Sequence, residues 1–118
     1  MARTVLKGAR YPGDIAFEGS NITDIGTILP RTDDVVINID GDIITSGLIN
    51  THHHLYQWMT RGLATGCDLF QWLTTLYPIW GRMSVEDVHA AALVGLSELA
   101  LTGCTTASDH HYIVPNND

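Results

Sequence analysis

The chain has 118 residues, of which 45% are apolar and 16% charged, and a formal net charge of −7. That length holds one modest core, and that composition excludes an intrinsically disordered chain. Only six residues are Lys or Arg, in no cluster, which excludes a nucleic-acid partner that needs its phosphates neutralised.

No apolar run reaches the roughly 20 residues of a membrane helix, and the residues after Met1 lack the apolar region of a secretory signal. Cys67 and Cys104 stand far apart and form no CxxC pair. Isolated cysteines in a chain without a signal read as reduced thiols, so the expected location is cytoplasmic.

Residues 1–46 read as short strands and turns. Thr4–Ala9 and Asp14–Glu18 are strand candidates, separated by the turn signal Tyr11-Pro12-Gly13-Asp14. Gly19-Ser20-Asn21 predicts a hairpin turn, with Ile22–Ile25 as the return strand. Val35–Ile39 is a β-branched run, and Asp40-Gly41-Asp42 is a tight turn. From residue 47 the pattern changes. Leu48–His53 reads as a short strand of the buried type, and residues 55–62 as irregular or briefly helical. Leu69, Trp72, Leu73 and Leu76 stand at helical spacing, and the helix should end before Pro78. Ser84-Val85-Glu86-Asp87 is a helix start with a Ser cap and a carboxylate at the third helical position. That helix should run to about Thr102 and bury Val88, Ala92, Leu96 and Leu99. Cys104–Ser108 is again β-favourable. Strand, helices and strand make a βαβ unit with parallel strands, whose C-terminal ends share one edge.

That edge carries the chemistry. His52-His53-His54 closes the first strand and Asp109-His110-His111 the second. In an extended chain alternate side chains share a face, so His52 and His54 converge and His53 points away. Two imidazoles on one face are half of a zinc site, which takes three or more protein ligands. Alone, the HxH spacing is also compatible with two hydrogen-bonded or solvated histidines. His53 is then a packing or hydrogen-bonding residue, and His89 a solvated residue of the long helix. His110 and His111 can support the ligands, face a substrate or serve structure. Gln57 follows in the loop, where a carboxamide can both donate to and accept from a lactam-like ring edge. Tyr56, Trp58, Trp72, Tyr77 and Trp80 form an aromatic neighbourhood suited to core packing or to a flat heterocycle.

Gly47-Leu48-Ile49-Asn50-Thr51-His52-His53-His54 resembles the first-strand metal motif of the amidohydrolase superfamily. Asn50, where many ring-opening members carry Asp, resembles the cytosine deaminase and chlorohydrolase branch. Three further stretches, at 52–57, 76–80 and 103–112, resemble 8-oxoguanine deaminases and hydroxy-triazine aminohydrolases. Ser46 departs from the pattern, which usually has Pro before the Gly. The resemblance implies an α/β fold: residues 1–46 as part of an accessory β-sandwich, and 47–118 as the first βαβ portion of a (β/α)8 barrel. It implies one divalent metal, zinc or sometimes iron, with His52 and His54 as the first two ligands. Gln57 matches a purine-contacting residue, and Tyr77, Trp80, His110 and His111 are further candidates for substrate contact. The implied reaction is hydrolytic deamination of a purine-like ring of the 8-oxoguanine type by metal-activated water. The alternatives within the branch are a hydroxy-triazine, guanine or S-adenosylhomocysteine-type aminohydrolase or chlorohydrolase. A full-length parent of this kind can form a homo-oligomer.

The resemblance also places the remaining ligands, a His and an Asp, and the proton-shuttling Glu on later strands, beyond Asp118. A complete barrel needs about 250 residues. The expectation is therefore an N-terminal piece of a longer enzyme, inactive and poorly stable alone. From another class, a small non-catalytic metal-binding module remains as the competing reading.

Overall fold

The structure, a computed structural model, describes residues 2–115. Two compact units divide the chain, Met1–Ser46 and Gly47–Asp118.

The first unit is a four-stranded sheet in the order β3-β2-β1-β4. Its strands are β1 (Thr4–Lys7), β2 (Asp14–Glu18), β3 (Asn21–Gly26) and β4 (Val35–Asn38). Antiparallel pairing joins β1 to β2 and β2 to β3, whereas β4 runs parallel to β1. Val5, Ala16 and Ile28 form its small core. Two buried carboxylates tie loops to this sheet. Asp14 accepts from the backbone N–H groups of Gly8 and Ile28, each at 2.9 Å, and from Lys7 Nζ at 2.6 Å. Asp34 accepts two bonds from the Arg3 guanidinium, at 3.0 and 2.6 Å.

In the second unit β5 (Leu48–Asn50) pairs in parallel with β6 (Cys104–Ala107). Between them come a 3-10 helix (Leu55–Thr60), α1 (Leu69–Trp80) and α2 (Val85–Leu101). Both α-helices start on reciprocal capping boxes, Asp68 with Gln71 and Ser84 with Asp87, which satisfy amide groups that a helix start leaves unpaired. The core is Tyr56, Leu76, Trp80 and Met83. Trp80 is fully buried, meets Tyr56 edge-on at 5.3 Å, and donates its indole N–H to Thr60 Oγ1 at 2.9 Å.

Three expectations are corrected here. The helix does not stop before Pro78 but carries it within α1 and ends at Trp80. Proline lacks only one N–H, and burial of Trp80 in the core holds the last turn. The inward face of α2 is centred on Ala91 and Gly95, while Leu96 is 49% exposed. A Cβ on Gly95 would stand 2.7 Å from Leu55 Cδ2 and from the Trp58 ring, so the 3-10 helix packs directly on bare backbone. Lastly, β5 is shorter than expected and open, with Leu48 61% and Ile49 68% exposed. Its sheet has only two strands, so nothing pairs with the second edge of β5 among the described residues. The unit is mixed α/β, with no closed barrel among those residues.

Candidate metal centre

The histidine segment leaves the strand at Asn50. Asn50 Oδ1 accepts from the backbone N–H of His52 at 3.1 Å, an Asx-type turn that takes this amide out of the ladder. The chain then runs beside the end of β6. Ser108 N–H donates to Asn50 O at 2.9 Å, and His110 N–H to His53 O at 2.7 Å. The Ser108 hydroxyl donates to Thr51 O at 2.9 Å. Asp109 Oδ1 accepts from Leu55 N–H at 2.9 Å, at the start of the 3-10 helix. Gly47 permits the close parallel pairing behind this edge, since any Cβ there would strike the Thr105 side chain.

Held in this way, the Nε2 atoms of His52 and His54 stand 3.1 Å apart. Two ligands on a tetrahedral zinc at 2.0–2.1 Å would be about 3.3 Å apart. The Nδ1 of His54 lies 2.7 Å from the His110 carbonyl oxygen. A carbonyl only accepts, so Nδ1 carries the hydrogen and the neutral ring keeps its Nε2 lone pair free. The donor set and its spacing fit a divalent metal. His110 joins them: the donor nitrogens of His52, His54 and His110 all lie within 4.8 Å of one another.

His53 has a different partner, although it too lines the cleft beside the pair. It stacks nearly parallel on Trp58, and Trp58 Nε1–H donates to its Nε2 at 3.3 Å. Its Nδ1 is buried without a hydrogen-bond partner. Trp58 also carries the Arg61 guanidinium 4.6 Å above its ring.

Beside the pair opens a cleft of about 620 Å³ lined by His52, His54, Gln57, Trp58, Arg61 and Trp72, among others. Gln57 thus reaches the cleft, and its Nε2–H donates to the Tyr56 hydroxyl at 3.3 Å. Burial pushes the Tyr56 hydroxyl pKa up, so the phenol stays protonated at neutral pH. Among the described residues, no Asp or Glu lines this cleft.

The other predicted contacts divide. Trp80 is a core residue with no exposed surface, which corrects its reading as a substrate contact. Tyr77 packs on Trp80 at 5.2 Å and does not line the cleft. His111 pairs with Asp109 at 3.3 Å and meets Tyr56 edge-on. His110 belongs to the histidine cluster. Sequence reasoning placed Trp58 in an aromatic neighbourhood but did not find its bond to His53, nor Arg61, nor the capping role of Asp109. The i, i+5 spacing of His53 and Trp58 was the available signal for the first. Nothing local in the sequence announces a bond from Asp109 to an amide 54 positions earlier.

The geometry defines an α/β protein with a candidate two-histidine metal centre at the shared C-terminal edge of parallel strands. The Amidohydrolase family model matches residues 43–116, and the chain belongs to that family. It is 52% identical over 75 residues to an 8-oxoguanine deaminase of Pseudomonas aeruginosa, covering 62% of this chain and 17% of that protein. It is 36% identical over 126 aligned positions to a hydroxydechloroatrazine ethylaminohydrolase of Pseudomonas sp. strain ADP, covering 95% of this chain and 25% of that protein. Among solved structures, it resembles an atrazine chlorohydrolase from Arthrobacter aurescens complexed with zinc. The TM-score is 0.77 at 25% identity, covering 94% of this chain and 29% of that one. An amidohydrolase from a Sargasso Sea environmental sample gives a TM-score of 0.74 at 28% identity, covering 93% and 27% of the two chains. The chain therefore spans about a quarter or less of the two curated relatives named.

Proposed function

We propose that this chain supplies the first two metal ligands, His52 and His54, of a hydrolase that removes an amino group from a purine-like ring of the 8-oxoguanine type. The carrying observation is the 3.1 Å approach of their Nε2 atoms, with His54 Nδ1 committed to the His110 carbonyl. A divalent ion held there, zinc foremost, supplies Lewis acidity and a water activated near neutral pH. Gln57 on the cleft wall orients the ring through its carboxamide, whose Nε2 already leans on Tyr56. Trp58 and Trp72 offer flat apolar surface on the same wall. Asp109 is no free base, since its oxygens serve Leu55 N–H and His111. With no Asp or Glu lining the cleft among the described residues, the site needs further ligands and a proton-shuttling carboxylate, and the segment alone is inactive. In this reading residues 47–118 open a (β/α)8 barrel, and the four-stranded sheet of residues 1–46 is part of an accessory β-sandwich. The enzyme is cytoplasmic.

A second reading, a hydroxy-triazine aminohydrolase, is favoured by the triazine-directed relative that aligns with 95% of this chain. Ammonia and alkylamine release by the full-length protein from 8-oxoguanine, guanine and hydroxy-triazines separates the two. Turnover of triazines alone would exclude the purine assignment. Chelation should abolish turnover and zinc should restore it.

A further inference from the structure

One residue touches all three members of the histidine run, each through a different group. His110 donates its backbone N–H to His53 O at 2.7 Å. Its carbonyl accepts from His54 Nδ1 at 2.7 Å. Its ring stacks on His52, with centroids 4.7 Å apart and planes 22° from parallel. A nitrogen lone pair lies in its ring plane. Two nearly parallel stacked rings therefore direct their lone pairs side by side, not to a common point. The His52 and His54 rings are inclined at 72° and the His54 and His110 rings at 88°, so either of those pairs can meet at one ion; the stacked His52–His110 pair cannot, and an ion that takes both His52 and His54 leaves the His110 ring out.

We propose that His110 is a positioning residue for the metal pair and not itself a ligand: its ring fixes the plane of His52 while its carbonyl fixes the tautomer of His54. This rests on the metal-pair reading of His52 and His54. The β6 end can do this because it is itself anchored. Asp109 holds the amide of Leu55 and Ser108 holds Thr51 O, so 108–110 lies clamped along 51–55. Preorganised ligands bind a metal without first losing rotamer freedom, and residues that orient ligand histidines change metal affinity by about 10–100-fold.

The test is zinc affinity of the full-length protein by chelator competition, with the visible spectrum of the cobalt(II)-substituted form. His110→Ala removes the stacking surface and should weaken zinc binding by about 10–100-fold, with a changed cobalt spectrum. His110→Phe keeps a flat ring but has no nitrogen donor, and should restore affinity to within a few-fold of the wild type. Equal losses in both variants would make the nitrogen the essential feature and overturn the positioning role. Wild-type affinity in His110→Ala would overturn it as well. Should the Ala variant not fold, the Phe variant decides alone: a wild-type cobalt spectrum supports positioning, and a lost one refutes it. His52→Ala and His54→Ala serve as the reference. If neither lowers affinity, the metal-pair reading falls and this inference with it. If both do while His110→Ala does not, only this inference falls.

Discussion

At Asn50 a single carboxamide determines how the strand is left. Its Oδ1 takes the His52 N–H, and the regular ladder ends there instead of running on through the histidines. Asn50→Asp keeps an acceptor in place, whereas Asn50→Leu frees the His52 amide. The Leu variant should lose zinc affinity by about 10-fold, as a change to a supporting group does, and the Asp variant should lose much less. Chelator competition on the full-length protein measures both. His53 gives the contrasting case. Its ring serves Trp58 through stacking and an indole hydrogen bond. His53→Ala should cost about 1–2 kcal/mol of stability and leave zinc stoichiometry unchanged, as read by denaturant melts and metal analysis. Strand alternation separated His52 and His54, whose Nε2 atoms stand 3.1 Å apart, from His53, which bonds to Trp58, although the strand stops three residues short of His53. The Asx turn still brings the His52 and His54 rings together. Legibility failed for His110, where pattern left support, substrate contact and structure open. Its role depends on a backbone carbonyl, and sequence does not display which carbonyls meet which rings.

Helix packing shows the same division between local and non-local information. The capping boxes at Asp68 and Ser84 are short-range chemistry, and the second was readable as a Ser cap followed by a carboxylate. The buried face of α2 was legible only in part: Val88, Ala92 and Leu99 are half-buried as expected, but counting large apolar residues favours Leu96 over Gly95. Gly95 is buried for what it lacks: Leu55 and Trp58 occupy the space a side chain would fill. Gly95→Ala forces these two residues apart from α2, against the helix-propensity gain that alanine normally brings. Overpacking of this kind should cost about 1–3 kcal/mol, seen as a lower denaturant midpoint. The displaced Trp58 should also show altered fluorescence. An unchanged midpoint would mean that the 3-10 helix shifts freely and that its packing does not depend on the glycine. Pro78 teaches the complementary point. The rule that proline ends helices acts through one missing donor and one steric contact. Burial of Trp80 two residues later outweighs both.

On the scale of the whole molecule, the two carboxyls held near 2 among the described residues, Asp14 and Asp34, lie in the unit formed by residues 1–46. Hydrogen bonds from Gly8 and Ile28 amides and from Lys7 lower the Asp14 carboxyl to about 2. The Arg3 guanidinium, against the opposing effect of burial, lowers Asp34 to about 2. An unfolded Asp titrates near 3.9. As pH falls, the unfolded state therefore takes up protons first. The stabilisation is complete above about pH 4, declines through the window down to about pH 2, and changes little below it. Hydrogen exchange on the full-length protein can follow this locally. Amides of β1 and β2, around Val5 and Ala16, should lose protection between pH 4 and pH 2, after correction for the intrinsic exchange rate. Asp34→Asn removes one titrating group, so protection should be lower at neutral pH and fall less steeply with acid. Parallel, undiminished pH slopes in the wild type and this variant would assign the acid response to other groups. All three tryptophans, at 58, 72 and 80, lie in the other unit. Their fluorescence follows that unit separately, so a loss of protection confined to β1 and β2 can be told apart from global unfolding.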